Sequence, residues 1–89
     1  MTIAVRYFAR LRETFGIESE TVVLAVDGAP PPTLGTLLDH LRYRHGERAD
    51  ALLAPRIRVA IDGAIAEMDR ATALGRDCEV AFLPPVTGG

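Results

Sequence analysis

The chain opens on alternation. From Thr2 to Phe8, Ile3, Val5 and Tyr7 fall on one side, and Thr2, Ala4, Arg6 and Phe8 on the other. That period of two predicts a half-buried strand. Ala9 to Phe15 then reads as a short helix, because Leu11 and Phe15 are four apart and share a face, and Gly16 supplies a stop. Glu18 to Val26 alternates again, with Val22, Leu24 and Val26 on one face, and ends at the turn signal Asp27-Gly28. Ala29-Pro30-Pro31-Pro32 is a stiff connector, since each proline fixes φ and lacks a donor. Thr33 is an N-cap for the main helix. Leu34, Leu37, Leu38 and Leu41 follow at i, i+3, i+4 and i+7, and Gly46 ends the run.

The second half is richer in strands. Glu47 to Pro55 reads as a connector with room for a turn of helix. Ile57, Val59 and Ile61 alternate with Arg56, Arg58 and Ala60 in a third strand. Asp62-Gly63 follows, two residues that tolerate positive φ between two apolar runs, which is the strongest hairpin signal in the chain. Ala64 to Met68 forms a short fourth strand and Asp69 to Arg76 a loop or single turn. Asp77 to Leu83 is the last strand, with Cys78, Val80 and Phe82 on one face.

One amphipathic helix needs one sheet to cover. The order strand, short helix, strand, long helix, three strands predicts an α+β fold, a mixed sheet with one main helix packed on one face. By analogy with folds of that order, it resembles the β-grasp, or ubiquitin-like, arrangement. Residues 1–85 are expected to form a single domain and residues 86–89 a flexible tail.

Composition narrows the function. Eighty-nine residues suit one domain, which excludes a multidomain enzyme or a repeat array. Hydrophobic residues make up 48% and charged residues 25%, which argues against disorder. A chain of this size buries about 60–65% of its unfolded surface, leaving little room for a deep pocket. The net charge is −2, so a nucleic-acid partner is not expected. All ten basic residues are Arg; with no Lys, the chain holds no Schiff-base or side-chain amine acceptor. Cys78 is alone and forms no internal disulfide or multi-Cys metal site. No signal peptide and no apolar run of about 18 residues is seen, so a cytoplasmic chain without a membrane partner is expected.

Strand parity makes a further prediction. If Ile3, Val5 and Tyr7 face the helix, Phe8 points to the far side; if Val80 and Phe82 face inward, Ala81 and Leu83 face outward. Ile61 and Ala64 pair across the two-residue hairpin, so Ile65 also points outward. Phe8, Ile65 and Leu83, joined by Ala4, Ala25 and Ala81, are therefore expected on the uncovered face. They read either as scattered surface apolar residues or as one contiguous partner surface beside the tail.

The tail carries the candidate chemistry. Pro84 and Pro85 hold an extended course off the sheet, and Val86, Thr87, Gly88 and Gly89 then reach roughly 13 Å farther at ~3.3 Å per residue. Gly88 and Gly89 have no side chains, so the terminal carboxylate fits a narrow channel and approaches a catalytic group closely. A carboxylate is a poor electrophile. Adenylation by ATP supplies a leaving group, and a sulfur nucleophile that displaces AMP leaves a thiocarboxylate.

With these residues in view, the chain resembles the small subunit of molybdopterin synthase, the MoaD family of ubiquitin-like sulfur carriers. The likeness rests on Val5-Arg6-Tyr7-Phe8-Ala9-Arg10-Leu11-Arg12-Glu13, on the helix around Thr33 to Leu41, and above all on Glu79-Val80-Ala81-Phe82-Leu83-Pro84-Pro85-Val86-Thr87-Gly88-Gly89. Asp62 stands where family members often carry Asn; either suits a tight turn. The resemblance implies that Gly89 is adenylated by an E1-like, MoeB-like activating enzyme and converted to a thiocarboxylate with sulfur from a cysteine desulfurase route. ATP is used by that enzyme, and the carrier binds no cofactor of its own. The tail would then enter a MoaE-like large subunit, within a heterotetramer, and donate sulfur to cyclic pyranopterin monophosphate. Two transfers build the dithiolene of molybdopterin. Phe8, Ile65 and Leu83 match the family's apolar contact surface. The carrier would be no enzyme by itself; the sulfurtransferase is the two-subunit complex.

Other readings stay open. A sulfur carrier for thiamin thiazole, cysteine synthesis or tRNA thiolation has the same terminus, although thiamin carriers are usually shorter and lack the first helix. A ubiquitin-fold interaction module with an inert terminus is the third. Cys78, facing inward, reads as an inert small hydrophobe rather than a persulfide carrier. His45, four after Leu41, reads as a C-terminal helix residue favoured by the dipole, and no metal ligand set is evident. Arg6, Arg10, Arg12, Arg56 and Arg58 read either as solvated surface or as a charged rim that orients the activating enzyme.

Overall fold

In the computed structural model, which describes residues 2–24 and 30–84, the elements are β1 (Thr2–Tyr7), α1 (Arg10–Phe15), β2 (Ser19–Val23), α2 (Leu34–His45), a 3-10 helix (Gly46–Leu53), β3 (Arg58–Ile61), β4 (Ala64–Ala66) and β5 (Glu79–Leu83). The sheet order is β2-β1-β5-β3-β4. β1 and β5 run parallel; the other neighbouring pairs are antiparallel. This mixed five-stranded sheet with α2 on one face is the β-grasp arrangement.

Alternation decides which face the helix covers. Ile3, Val5 and Tyr7 of β1, Val22 of β2, Val59 of β3 and Val80 and Phe82 of β5 are all buried. They join Leu34, Leu37, Leu38 and Leu41 of α2 in one apolar cluster, which also takes in Leu11 and Phe15 of α1 and Leu52 of the 3-10 helix. Burying a side chain of that size contributes about 1.5–3 kcal/mol, so this cluster is the main source of stability.

The ends of α2 are closed at both termini. Thr33 and Thr36 form a reciprocal cap, each hydroxyl accepting the other's backbone N–H at 3.2 Å. The next orphan donors go to the 69–74 loop. Leu34 N–H donates to the Thr72 carbonyl at 2.8 Å and Gly35 N–H to the Arg70 carbonyl at 2.9 Å. The Arg70 guanidinium returns across the first turn to both oxygens of Asp39, at 2.9 and 2.8 Å. Gly46, at φ 66°, ends the helix, and its N–H reaches the Arg42 carbonyl.

Several expected boundaries shift. β1 stops at Tyr7 rather than Phe8, and α1 begins at Arg10 rather than Ala9, because Ala9 turns the chain at φ 50°. β2 covers Ser19–Val23; the expected extension through Ala25 and Val26 lies outside the described residues. Ile57 precedes β3, Met68 lies beyond β4, and Asp77 and Cys78 precede β5. The strands pair only where a neighbour exists, so the apolar pattern outruns the ladder. The segment read as a connector is a 3-10 helix that buries Ala49 and Leu52. The Asp62-Gly63 hairpin forms as expected, with φ 49° and 84° at the two positions, which suits a turn with positive φ at both residues. Asp62 also ties the turn to β5: its N–H donates to the Glu79 carbonyl at 2.8 Å, and its Oδ1 accepts from Glu79 N–H at 2.9 Å.

Candidate functional site at the root of the tail

The face of the sheet away from α2 can be read row by row from the register. Arg6 stands opposite Ala81, Ala81 opposite Ala60, and Ala60 opposite Ile65. One pleat farther along, Arg58 stands opposite Leu83. Phe8 joins this end through its N–H, which donates to the Phe82 carbonyl at 3.3 Å. Ile65 is 63% exposed, while Phe8 and Leu83 are half-buried. Ala60 and Ala81, although on the outer face, are only 8% and 6% exposed. Short side chains between longer neighbours make a shallow apolar floor. Ala4 is exposed on the same face, next to Glu79 in register, and Ala25 lies outside the described residues.

Charge borders this floor. The Arg6 guanidinium carbon sits 5.1 Å from the centroid of the Phe8 ring, in cation–π range. Arg6 also comes within 3.8 Å of Glu79, an exposed pair that contributes little to stability. The turn that carries Phe8 is held against its strained Ala9 by Leu11 N–H donating to the Phe8 carbonyl at 3.1 Å and Arg12 N–H donating to the Ala9 carbonyl at 3.0 Å.

β5 ends at Leu83, and Pro84 is half-buried beside an open cleft of about 840 Å³ between α1 and the segment before β3. Arg10 and Arg12 line it from one side, Ala54, Pro55 and Ile57 from the other. It is a surface groove rather than a deep pocket. Of the five arginines considered together, Arg6 and Arg58 border the outer face and Arg10 and Arg12 the cleft, so they do not form one patch. Arg56 lies in the chain between Pro55 of the cleft wall and β3. Pro85, Val86, Thr87, Gly88 and Gly89 lie outside the described residues.

Two side chains behave differently from their sequence reading or confirm it on firmer ground. His45 does more than face the helix dipole. Its Nε2 lies 2.7 Å from Glu20 Oε2, and its ring packs edge-on against Phe15 at 4.9 Å between centroids. Glu20 also accepts from the Tyr7 hydroxyl at 2.6 Å and from Arg44 at 2.6 Å. Burial alone would push this carboxyl up, but the hydrogen bonds from Tyr7, Arg44 and His45 outweigh it and hold it below the ordinary Glu range. Burial pushes the Tyr7 phenol far up, helped by the same carboxylate. This hub joins β1, β2 and α2 and escaped the sequence reading, because an exposed-looking Glu in a strand carries no local signal. Cys78 is 1% exposed, and burial pushes its thiol up, with Asp62 adding to the effect. Among the described residues, no group of three or more His, Cys, Asp or Glu stands where it could hold a metal ion, and no helix is long and apolar enough to cross a membrane.

The ThiS family matches residues 5–89. The chain is 37% identical over 91 residues to the molybdopterin synthase sulfur carrier subunit of Mycosarcoma maydis, covering 99% of this chain and 94% of the relative. It is 33% identical over 87 residues to the subunit of the same name from Escherichia coli (strain K12), covering 98% of this chain and 99% of that one. Among solved structures, SAMP1 from Haloferax volcanii superposes with a TM-score of 0.74 at 31% identity over 100% of both chains. The near full-length match and the β-grasp sheet agree: the chain belongs to the ThiS family and stands among the molybdopterin synthase sulfur carrier subunits.

Proposed function

We propose that this chain is the sulfur-donating small subunit of a molybdopterin synthase and that its working group is the carboxyl end of Gly89. An activating enzyme of the E1-like, MoeB-like kind joins the carboxylate to AMP and releases pyrophosphate from ATP. A sulfur nucleophile at the hydrosulfide level then attacks the acyl carbon. The C–S bond forms, the C–O bond to AMP breaks, and a thiocarboxylate remains. Its sulfur attacks an electrophilic carbon of cyclic pyranopterin monophosphate; the new C–S bond forms as the carbon–oxygen bond there breaks, the oxygen substituent leaving with the electron pair and taking up a proton where it departs as water. Hydrolysis of the acyl–sulfur bond leaves sulfur on the pterin and returns the carboxylate to Gly89. Two rounds complete the dithiolene.

None of these steps asks a side chain of the carrier to act as acid, base or nucleophile. The chain is a non-catalytic carrier, and the catalytic residues belong to the enzymes it visits. The outer floor of Ala60 and Ala81, with Phe8, Ile65 and Leu83 around it, docks a MoaE-like large subunit, two of each subunit making a heterotetramer. Leu83 sits on that face and runs into Pro84, so docking there brings the point where the last residues begin against the partner. The observation that carries the reading is the near end-to-end likeness to two sulfur carrier subunits, with the family match running through Gly89. The names of those relatives favour the molybdenum route over the thiamin, cysteine or tRNA routes. Reconstitution tests it: thiocarboxylated chain, large subunit and cyclic pyranopterin monophosphate should yield dithiolene, and the carboxylate form should yield none. Equal yields from both forms would overturn it.

A further inference from the structure

An activated carboxyl end is dangerous to the protein that carries it. An acyl adenylate or thioester reacts with any amine or thiolate it meets, and a tethered tail meets its own surface at millimolar or higher effective concentration. Ubiquitin-like folds therefore face a choice between serving as acceptor as well as donor and serving as donor only. The chemistry around the present tail root bears on that choice, given the carrier reading above on which this inference rests.

Arg58 stands opposite Leu83 at the end of β5, and Arg10 and Arg12 line the cleft beside Pro84; all three are exposed, while Arg6 stands farther back, opposite Ala81. Every one is a guanidinium, and the 89 residues contain no Lys. The distinction is chemical. At pH 7 a lysine of ordinary pKa is free amine in about 4 parts in 10,000, whereas a guanidinium is deprotonated at least about a hundredfold less often. The lone thiol is no better placed. Cys78 is 1% exposed and belongs to the apolar cluster under the sheet. Thiolate, not thiol, is the nucleophile, and burial keeps this group protonated. The hydroxyls of Ser and Thr need an adjacent base to act. Thr33 and Thr36 use theirs on each other, and Thr14 donates its own to the Arg10 carbonyl.

We infer that no side chain of the carrier serves as an acyl acceptor: the surface beside the end of β5 presents guanidinium groups and offers no side-chain amine or accessible thiol to capture the activated end. The positive rim still attracts an acidic partner face or an anionic tail, but it cannot be acylated in place of the incoming sulfur. The forbidden step is explicit. A primary amine would attack the acyl carbon, a C–N bond would form, the leaving group would depart with its electron pair, and the amine proton would go to solvent. The product would be an amide-linked ring or chain of carriers, lost to sulfur transfer. No side chain of this sequence supplies that amine.

The test uses a full-length C-terminal thioester, prepared chemically with a small thiol, so that no activating enzyme is involved. The wild-type thioester, held at mildly alkaline pH with its α-amino group blocked, should only hydrolyse to the free acid. Arg58→Lys and Arg10→Lys should each give at least about tenfold more amide product, seen in intact mass as a ring lighter than the free acid by one water or as a covalent dimer. Peptide mapping should place the new bond at the introduced lysine. Amide- or thioester-linked self-products of the wild type at any of its own residues, or lysine variants as inert as the wild type, would overturn the inference. Absence of pyrophosphate release when the unmodified chain meets the activating enzyme and ATP would instead count against the carrier reading, and the thioester result would stand apart from it.

Discussion

Tyr7 and Glu20 sit on adjacent strands, 13 residues apart in sequence, with the phenol donating to the carboxylate at 2.6 Å. The same carboxylate collects Arg44 and His45 from the end of α2. The pair is therefore the point where the sheet edge and the helix are fastened together. Glu20 has a side chain only 9% exposed, so its charge is worth holding only while all three donors are in place.

A pH dependence follows from the direction of its shift. The folded state holds this carboxyl below its ordinary value of 4.5, so folding favours the ionised form. The stabilisation is complete above the unfolded value and is lost as pH falls through the folded one. Urea midpoints should therefore drop between about pH 5 and pH 3. Glu20→Gln should flatten that part of the curve while lowering stability at neutral pH. An unchanged slope in the variant would show that other carboxylates carry it.

Gly35 gives a packing prediction. A methyl group there would meet Cβ and the carbonyl oxygen of Arg70 at 3.0 Å each and Nε at 3.1 Å. Backbone is among those neighbours, so the clash is not relieved by a side chain swinging away. Gly35→Ala gains about 1 kcal/mol of helix propensity but suffers overpacking that costs about 1–3 kcal/mol. The net effect should be destabilising, read as a lower urea midpoint at unchanged m-value. A more stable variant would mean that the 69–74 loop moves aside freely.

The outer face should separate binding from stability. Ile65→Glu changes a residue 63% exposed and should shift stability by less than about 0.5 kcal/mol. Phe8→Glu should cost more, since the ring is half-buried under Arg6. Both should weaken the complex with the large subunit, measured by calorimetry, before they unfold the domain. Normal affinity in both variants would move the docking surface elsewhere.

The length of the tail should matter to the residue. Removing Gly89, or adding one residue after it, should abolish sulfur transfer and leave the unfolding curve unchanged, because the proposed function makes the terminus itself the reacting group. Dithiolene synthesis retained by either variant would refute this.

What was legible in the sequence was whatever short-range patterning specifies. The 34-37-38-41 leucine stripe, the Thr33 cap and the Asp62-Gly63 turn each depend on neighbours within a few residues, and each formed as read. Outward placement of Ile65 followed from hairpin register alone. What was not legible depends on distant partners. Glu20 meets Arg44 and His45 across 24 and 25 residues, and Arg70 meets Asp39 across 31. Nothing local to those residues marks them. The burial of Ala60 and Ala81 on the nominally open face is also a property of register, since only the neighbours brought alongside make a floor of two small side chains. The Arg rim lies between these cases: its residues were visible, but the end of β5 beside which they stand is a product of topology.

The central claim is that the carboxyl end of Gly89 is the group that carries sulfur. Intact-mass measurement after incubation with an activating enzyme, ATP and a sulfur source tests it most directly. One exchange of oxygen for sulfur is expected, mapped by fragmentation to Gly89 and absent when ATP is omitted. An unchanged mass with enzymes that thiolate a related carrier, or sulfur found on Cys78 instead, would contradict it.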